Sequence, residues 1–251
     1  MTMSDVPLCI SIIHEPTEAE PFLVADKPAG LPTAPLHDDD DSALTQAVAL
    51  FSQIAAVTGK KAVEKGLVHR IDTATRGLVL VAATDTWYDF LIDAQRRGKF
   101  QKWYRATVDA IPDAASRLGG FPALPVRFAP SAGETVTVQS SFRSYGTHRH
   151  AVRPVNGQSG RAARKKSGGT TYQTVITAQD DQNVICTITA GYRHQVRCHL
   201  AWIGLPVQND PLYNPSCADN GEAVGKLAFT AYKIAFPSHT SNAVLIYTLE
   251  Q

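Results

Sequence analysis

The stretch LVHRIDTATRGLVL, residues 67–80, closes on an unbroken apolar run of Leu78, Val79, Leu80 and, one residue on, Val81. A run this short, β-rich and free of polar alternation reads as a strand buried on both faces, and Gly77 in front of it lets the backbone turn into that strand. Asp72 then lies on a loop at the mouth of a rigid element, with Arg70 two residues ahead of it. Reactive carboxylates are often placed this way. The plainer reading gives Asp72 only a turn role, accepting hydrogen bonds from the backbone of residues 73–75. A kinase catalytic loop is excluded: Ile71 interrupts the His-Arg-Asp order, and the chain has neither a Gly-rich nucleotide loop nor an Asp-Phe-Gly element.

Elsewhere the chain predicts strands with few helices. Residues 10–14 and 22–26 read as strands, after which Pro28, Gly30, Pro32 and Pro35 impose an irregular segment. Ser42 is placed to cap a helix carrying Leu44, Val48, Phe51 and Ile54 at helical spacing. A second helix is expected from Asp85 to Gly98, with Trp87, Leu91 and Ala94 inward. Strands follow at 102–109, at 171–177 and 183–189 as a hairpin, and at 226–236 and 243–249. A short helix at 194–203, with Val196, Leu200 and Ile203 on one face, is closed by Gly204 and Pro206. Strands outnumber helices and are joined mostly by hairpins or loops, which predicts an α+β fold with a mixed, largely antiparallel sheet and flanking helices.

At 251 residues with 44% hydrophobic content, the chain can build a sizeable core, and one domain over 1–251 is expected. Cys9, Cys186, Cys198 and Cys217 form no CxxC pair, so reduced thiols and no metal site are expected. No apolar run approaches the ~20 residues of a membrane span. The start of the chain, with Asp5 and no basic stretch, lacks a signal peptide's pattern, so a cytoplasmic location is expected. The net charge of +1 is uninformative about nucleic acid, but its distribution is not. No acidic residue occurs between Glu134 and Asp180, whereas Arg143, Arg149, Arg153, Arg161, Arg164, Lys165 and Lys166 do, with His148 and His150 among them. Gly and Ser at 157–160 and 167–169 make residues 143–169 a mobile basic loop insertion suited to a phosphate backbone, a solvated loop being the plainer alternative. The acidic patch at 38–41 is expected to face solvent and to suit the start of the helix after it.

The string at 67–80 resembles the HRLDxxTSGLLL motif of the RluA-type pseudouridine synthases. Further segments fall in that family's order: DKPAGL at 26–31, KWYRATV at 102–108, GYRHQVRCHL at 191–200 and GLPVQNDPLY at 204–213. The resemblance implies the same α+β fold with a central active-site cleft across the sheet, and RNA uridine isomerisation without cofactor or metal. It implies that Asp72 is the catalytic carboxylate, attacking sugar or base or assisting elimination. Arg197 would be the cation that holds Asp72 ionised, for which arginine is suited because it stays charged and offers two donors. Tyr104 would stack on the uracil or handle a proton on it. Arg70 would contact RNA and help keep the target base flipped out, with His69 orienting the loop. Lys27 and Pro28 would shape the cleft floor.

The chain departs from the family pattern at Tyr192, where arginine is common, at Arg76, where serine is common, and at Phe229-Thr230-Ala231, where Leu-His-Ala is usual. These departures bear on substrate choice. The S4-type RNA-binding domain that precedes many relatives is not expected, since few residues lie ahead of Phe22, so RNA must be gripped by the catalytic domain. The expected partner is ribosomal or transfer RNA, and the expected state is a monomer. A non-catalytic RNA-binding protein or RNA-folding chaperone would not require the retained Asp72, Tyr104 and Arg197. A hydrolase built on Asp72 has no partner acid, metal cluster or Ser-His-Asp order to support it.

Overall fold

A computed structural model of the chain describes residues 7–37, 40–218 and 225–250; Asp5, Asp38 and Asp39 lie outside these. In chain order the strands are β1 (Ser11–His14), β2 (Phe22–Lys27), β3 (Arg76–Ala82), β4 (Gln101–Thr107), β5 (Thr135–Tyr145), β6 (Ala151–Val155), β7 (Tyr172–Ala178), β8 (Asn183–Ile188), β9 (Phe229–Pro237) and β10 (Val244–Thr248). The helices are α1 (Ala43–Leu50), α2 (Asp85–Arg96), α3 (Ala114–Leu118), α4 (Arg161–Lys165), α5 (Gln195–Trp202) and α6 (Pro215–Ala218). This is the expected α+β fold with largely antiparallel pairing. The chain gathers into two compact units, Met1–Phe100 with Ala231–Gln251, and Gln101–Thr230.

In the first unit, β2 pairs antiparallel with both β1 and β3, and β9 with β10. Every residue of β2, and of β3 from Gly77 onward, is buried, as a strand covered on both faces requires. Gly77 has φ +145°, and a Cβ there would stand 2.3 Å from the Ala231 carbonyl oxygen, so only glycine admits this approach. Phe22, Val24, Leu78, Leu80, Trp87, Leu91, Phe100 and Phe236 form the core. Truncating a buried Leu such as Leu80 to Ala would cost about 2–5 kcal/mol. Thr84 caps α2, which puts Trp87, Leu91 and Ala94 inward as their spacing predicts. Ser42 and Thr45 form a reciprocal capping box on α1. That helix stops earlier than expected: Phe51 leaves helical geometry, and a 3-10 turn, Ser52–Ala56, delivers Ile54 to the core. Of the acidic patch, Asp40 accepts from the amides of Leu36 and His37, and Asp41 from Gln46.

The second unit is an antiparallel run in the order β4-β8-β7-β5-β6. The predicted hairpin is β7–β8, its turn fastened by the Asp180 carboxylate, which accepts from Asn183 and from the amides of Gln182 and Asn183. Helix α5 packs Cys198 and Ala201 against Phe142 of β5 and Val152 of β6. The basic stretch 143–169 is not the loose loop expected from its composition. Its first residues finish the 11-residue strand β5, β6 returns as an antiparallel partner, and α4 follows.

Candidate active site

Asp72 is half-buried on the loop before β3. Both sides of it are fastened to the segment after β2. On one side Thr33 Oγ1 donates to the Ile71 carbonyl (2.6 Å) and accepts from the Ile71 amide (3.3 Å). On the other, the Thr73 carbonyl accepts from the Gly30 amide (2.8 Å) and from Lys27 Nζ (3.2 Å). Lys27 is fully buried and also donates to the carbonyls of Pro28 (2.9 Å) and Leu31 (2.7 Å), so its three protons meet three carbonyl oxygens. Burial lowers its pKa to about 8, against the charges of Asp72 and Asp26, which raise it. The turn at 72–75 is closed by the main chain, the Thr75 amide donating to the Asp72 carbonyl oxygen (3.0 Å).

Around this loop, His69 is buried with its ring edge-on to Phe100 at 5.1 Å. Arg70 is more than half exposed and lies 3.1 Å from Glu64, which also takes Lys61 at 2.9 Å. Arg76, which replaces the usual serine, donates through Nε (3.0 Å) and Nη2 (2.7 Å) to Asp26 Oδ2. That hydrogen bond and charge raise the Arg76 pKa further. The departure at Arg76 is thus matched by an acid in the neighbouring strand.

In the second unit, Tyr104 sits on an inward position of β4 and is 7% exposed. Its ring lies flat on Phe229, with centroids 5.0 Å apart and planes at 4°. Phe229 is one of the departures from the family pattern, and here it supplies a stacking floor for the tyrosine. Two residues before Tyr104, Lys102 is buried and its pKa is lowered to about 8 by desolvation.

Arg197 is not a surface helix residue: on α5 it is 3% exposed. Its Nε and Nη2 donate to Oδ2 and Oδ1 of the fully buried Asp210, each at 2.8 Å, the two-pronged geometry that aims a guanidinium. Asp210 Oδ1 also accepts from the amides of Leu212 (2.9 Å) and Tyr213 (3.1 Å). Sequence reasoning left Asp210 unassigned; its only signal was its place in the GLPVQNDPLY string. Neighbouring polar residues hold α5 in place. Gln195 donates to the Gln173 carbonyl (2.9 Å), and His199 places Nδ1 on Thr174 Oγ1 and Nε2 on Ser140 Oγ, both at 2.9 Å. Burial lowers the His199 pKa to about 3, so the ring is neutral.

Of the basic residues expected to meet RNA, Arg149, Arg161, Arg164, Lys165 and Lys166 are exposed. Arg153 requires correction. It is 3% exposed, donates to the carbonyls of Gly119 (2.7 Å), Leu118 (3.1 Å) and Val152 (3.0 Å), and lies between the rings of Phe121 (4.5 Å) and Tyr145 (4.2 Å). Its role is to tie strands to the segment after α3. Among the described residues no group of three or more His, Cys, Asp or Glu side chains could hold a metal ion, and no helix is long and apolar enough to cross a membrane.

The pattern of the family RNA pseudouridylate synthase matches residues 21–202, which include Asp72, Tyr104 and Arg197. A Zymomonas mobilis protein named ribosomal large subunit pseudouridine synthase D is 29% identical over 227 residues, covering 90% of this chain and 62% of its own. An uncharacterized RNA pseudouridine synthase of Bacillus subtilis is 25% identical, with 89% of this chain and 68% of its own covered. The chain spans roughly half to three quarters of the length of the curated relatives it matches. Among solved structures, human RNA pseudouridylate synthase domain containing 1 shares the fold, with a TM-score of 0.63 at 15% identity, covering 100% of this chain and 86% of that one.

Proposed function

Because the chain belongs to the RNA pseudouridylate synthase family, we propose that it is an isomerase converting uridine to pseudouridine in structured RNA. The reaction breaks the bond from the ribose C1′ to N1 of uracil, forms one from C1′ to C5, and moves a proton from C5 to solvent while N1 gains one. It has no net redox change and transfers no phosphate, so it proceeds with protein side chains alone. The name of the Zymomonas mobilis relative supports ribosomal RNA as substrate, with transfer RNA as the other candidate. We assign the chain to the cytoplasm and to the monomeric state.

The observation that carries the reading is that the loop of Asp72 is fastened on both flanks, by Thr33 and Lys27, within the span that matches the family. Such fixing of the flanking main chain is what a catalytic carboxylate needs. In the proposal Asp72 acts ionised, either attacking sugar or base or assisting elimination. Lys27 contributes a positive charge beside it, and Arg197, aimed by Asp210, is the planar cation that pairs with it. Tyr104, backed by Phe229, stacks on the uracil or handles a proton on it. Arg70 contacts the strand and helps hold the base out of its stack. An RNA-folding chaperone would need neither the paired arginine nor the braced carboxylate.

The test is tritium release from RNA labelled at uracil C5 by the purified chain without added cofactor, joined to pseudouridine mapping in cells with and without the gene. Release, and sites lost with the gene, are expected. Binding without release supports the chaperone reading.

A further inference from the structure

Resting on the RNA reading above, we propose that Arg193 is a positioning residue that holds the tip of the β5–β6 hairpin in the shape that grips RNA. The tip, residues 146–150, carries the exposed side chains of His148, Arg149 and His150. Its backbone is costly: His148 and Arg149 stand one after the other in the left-handed region, at φ 53° and 57°, where side chains with a Cβ are disfavoured. Gly146, at φ +80°, adds a third residue in this region, where a Cβ would be strained whatever the space around it. Such a turn persists only where its surroundings favour it over relaxed alternatives.

Two consecutive residues of the GYRHQVR string supply those surroundings. Tyr192, where the family commonly has arginine, lies flat on Phe142 of β5, with centroids 5.0 Å apart and planes at 6°. Arg193 donates through Nη2 to the carbonyl oxygens of Arg149 and of Ala151, the latter at 3.3 Å. Both carbonyls meet one donor. One residue of the loop leading into α5 thus sets where the basic tip stands, four residues from the arginine assigned to the chemistry. Phosphate groups are the ligand class that the cationic tip fits.

The experiment compares the parent with Arg193→Gln, Arg193→Lys and Arg149→Gln. Hydrogen exchange is read at the amides of Arg149 and His150, which bond to Gly146 and Thr147. Affinity is read with a labelled stem-loop RNA, and chemistry by single turnover at saturating enzyme. Arg193→Gln is expected to speed exchange at these amides and to weaken RNA binding roughly fivefold or more, the scale of one or two lost hydrogen bonds. Its single-turnover rate should fall by less than its affinity, and Arg193→Lys should recover part of both losses. Arg149→Gln should weaken binding with exchange at His150 unchanged. Unaltered exchange in Arg193→Gln overturns the tether; faster exchange with parental RNA affinity overturns its role in gripping RNA. Because exchange and binding are read without turnover, a chain that binds but does not isomerise sinks the catalytic reading while these arms still decide the tether.

Discussion

The buried pair of Arg197 and Asp210 makes a demanding prediction for Asp210→Asn. The change keeps the shape of the side chain, yet neither amide orientation suits the site. With the amide oxygen at the Oδ1 position, the three donors there, Arg197 Nη2 and the amides of Leu212 and Tyr213, are satisfied. The NH2 group then faces the Nε–H of Arg197, donor against donor. Flipping the amide moves the clash onto those three donors. Breaking one side of a buried ion pair costs about 3–5 kcal/mol. The retained acceptor oxygen places Asn at the low end, about 3 kcal/mol, which at about 2–4 °C per kcal/mol for a chain near 250 residues lowers Tm by roughly 6–12 °C. Calorimetry and urea unfolding read this. A further consequence concerns chemistry: with Arg197 less firmly aimed, the single-turnover rate should fall about tenfold or more, at temperatures where the variant is folded. A variant within about 0.5 kcal/mol of the parent and equally active would refute the claim that Asp210 holds Arg197.

Three other expectations follow from the same geometry. Folding makes His199 harder to protonate: the unfolded ring binds a proton near pH 6.5 and the folded one at about 3, so the unfolded state binds more protons between these values. Stability present above pH 6.5 is therefore lost as pH falls toward 3, by roughly 5 kcal/mol at most, and His199→Gln should flatten that slope in urea titrations across the window. Gly77→Ala forces a Cβ onto the Ala231 carbonyl and should destabilise by more than about 2 kcal/mol by the same unfolding assay, whereas Gly157→Ala, where a Cβ meets nothing, should be near neutral. Changing Arg164, Lys165 and Lys166 together to Gln should lower the log-log salt slope of RNA binding by up to about three, and an unchanged slope would return α4 to a merely solvated helix.

What was legible in the sequence depended on whether partners were local. The run at 78–81, the helix from Asp85 with its inward Trp87 and Leu91, and the β7–β8 hairpin carry their signals in a few consecutive residues. Strand β5 was hidden because its inward positions include Ser140, a polar residue burial tolerates only with His199 across from it. In β6, Arg153 and Pro154 look like loop residues. Arg153 is buried there because the rings of Phe121 and Tyr145 and the distant carbonyls of Leu118 and Gly119 receive it, and Pro154 is accommodated on a strand that, among the described residues, pairs with β5 alone. At the site, Asp72, Tyr104 and Arg197 were singled out by motif resemblance. Asp210 and Phe229 were missed, since an aiming carboxylate and a stacking floor are defined by what they touch in three dimensions.

The central claim, that Asp72 is the catalytic carboxylate of an RNA uridine isomerase, is tested most directly by Asp72→Asn under single-turnover conditions. The substitution removes the charge and leaves the main-chain turn, the Thr33 clamp and the Lys27 bonds to work as before. Tritium release from C5-labelled RNA is measured beside RNA affinity and Tm. The account predicts no detectable release by a folded variant that still binds RNA. Near-parental release by that variant would contradict it and place the chemistry on another residue.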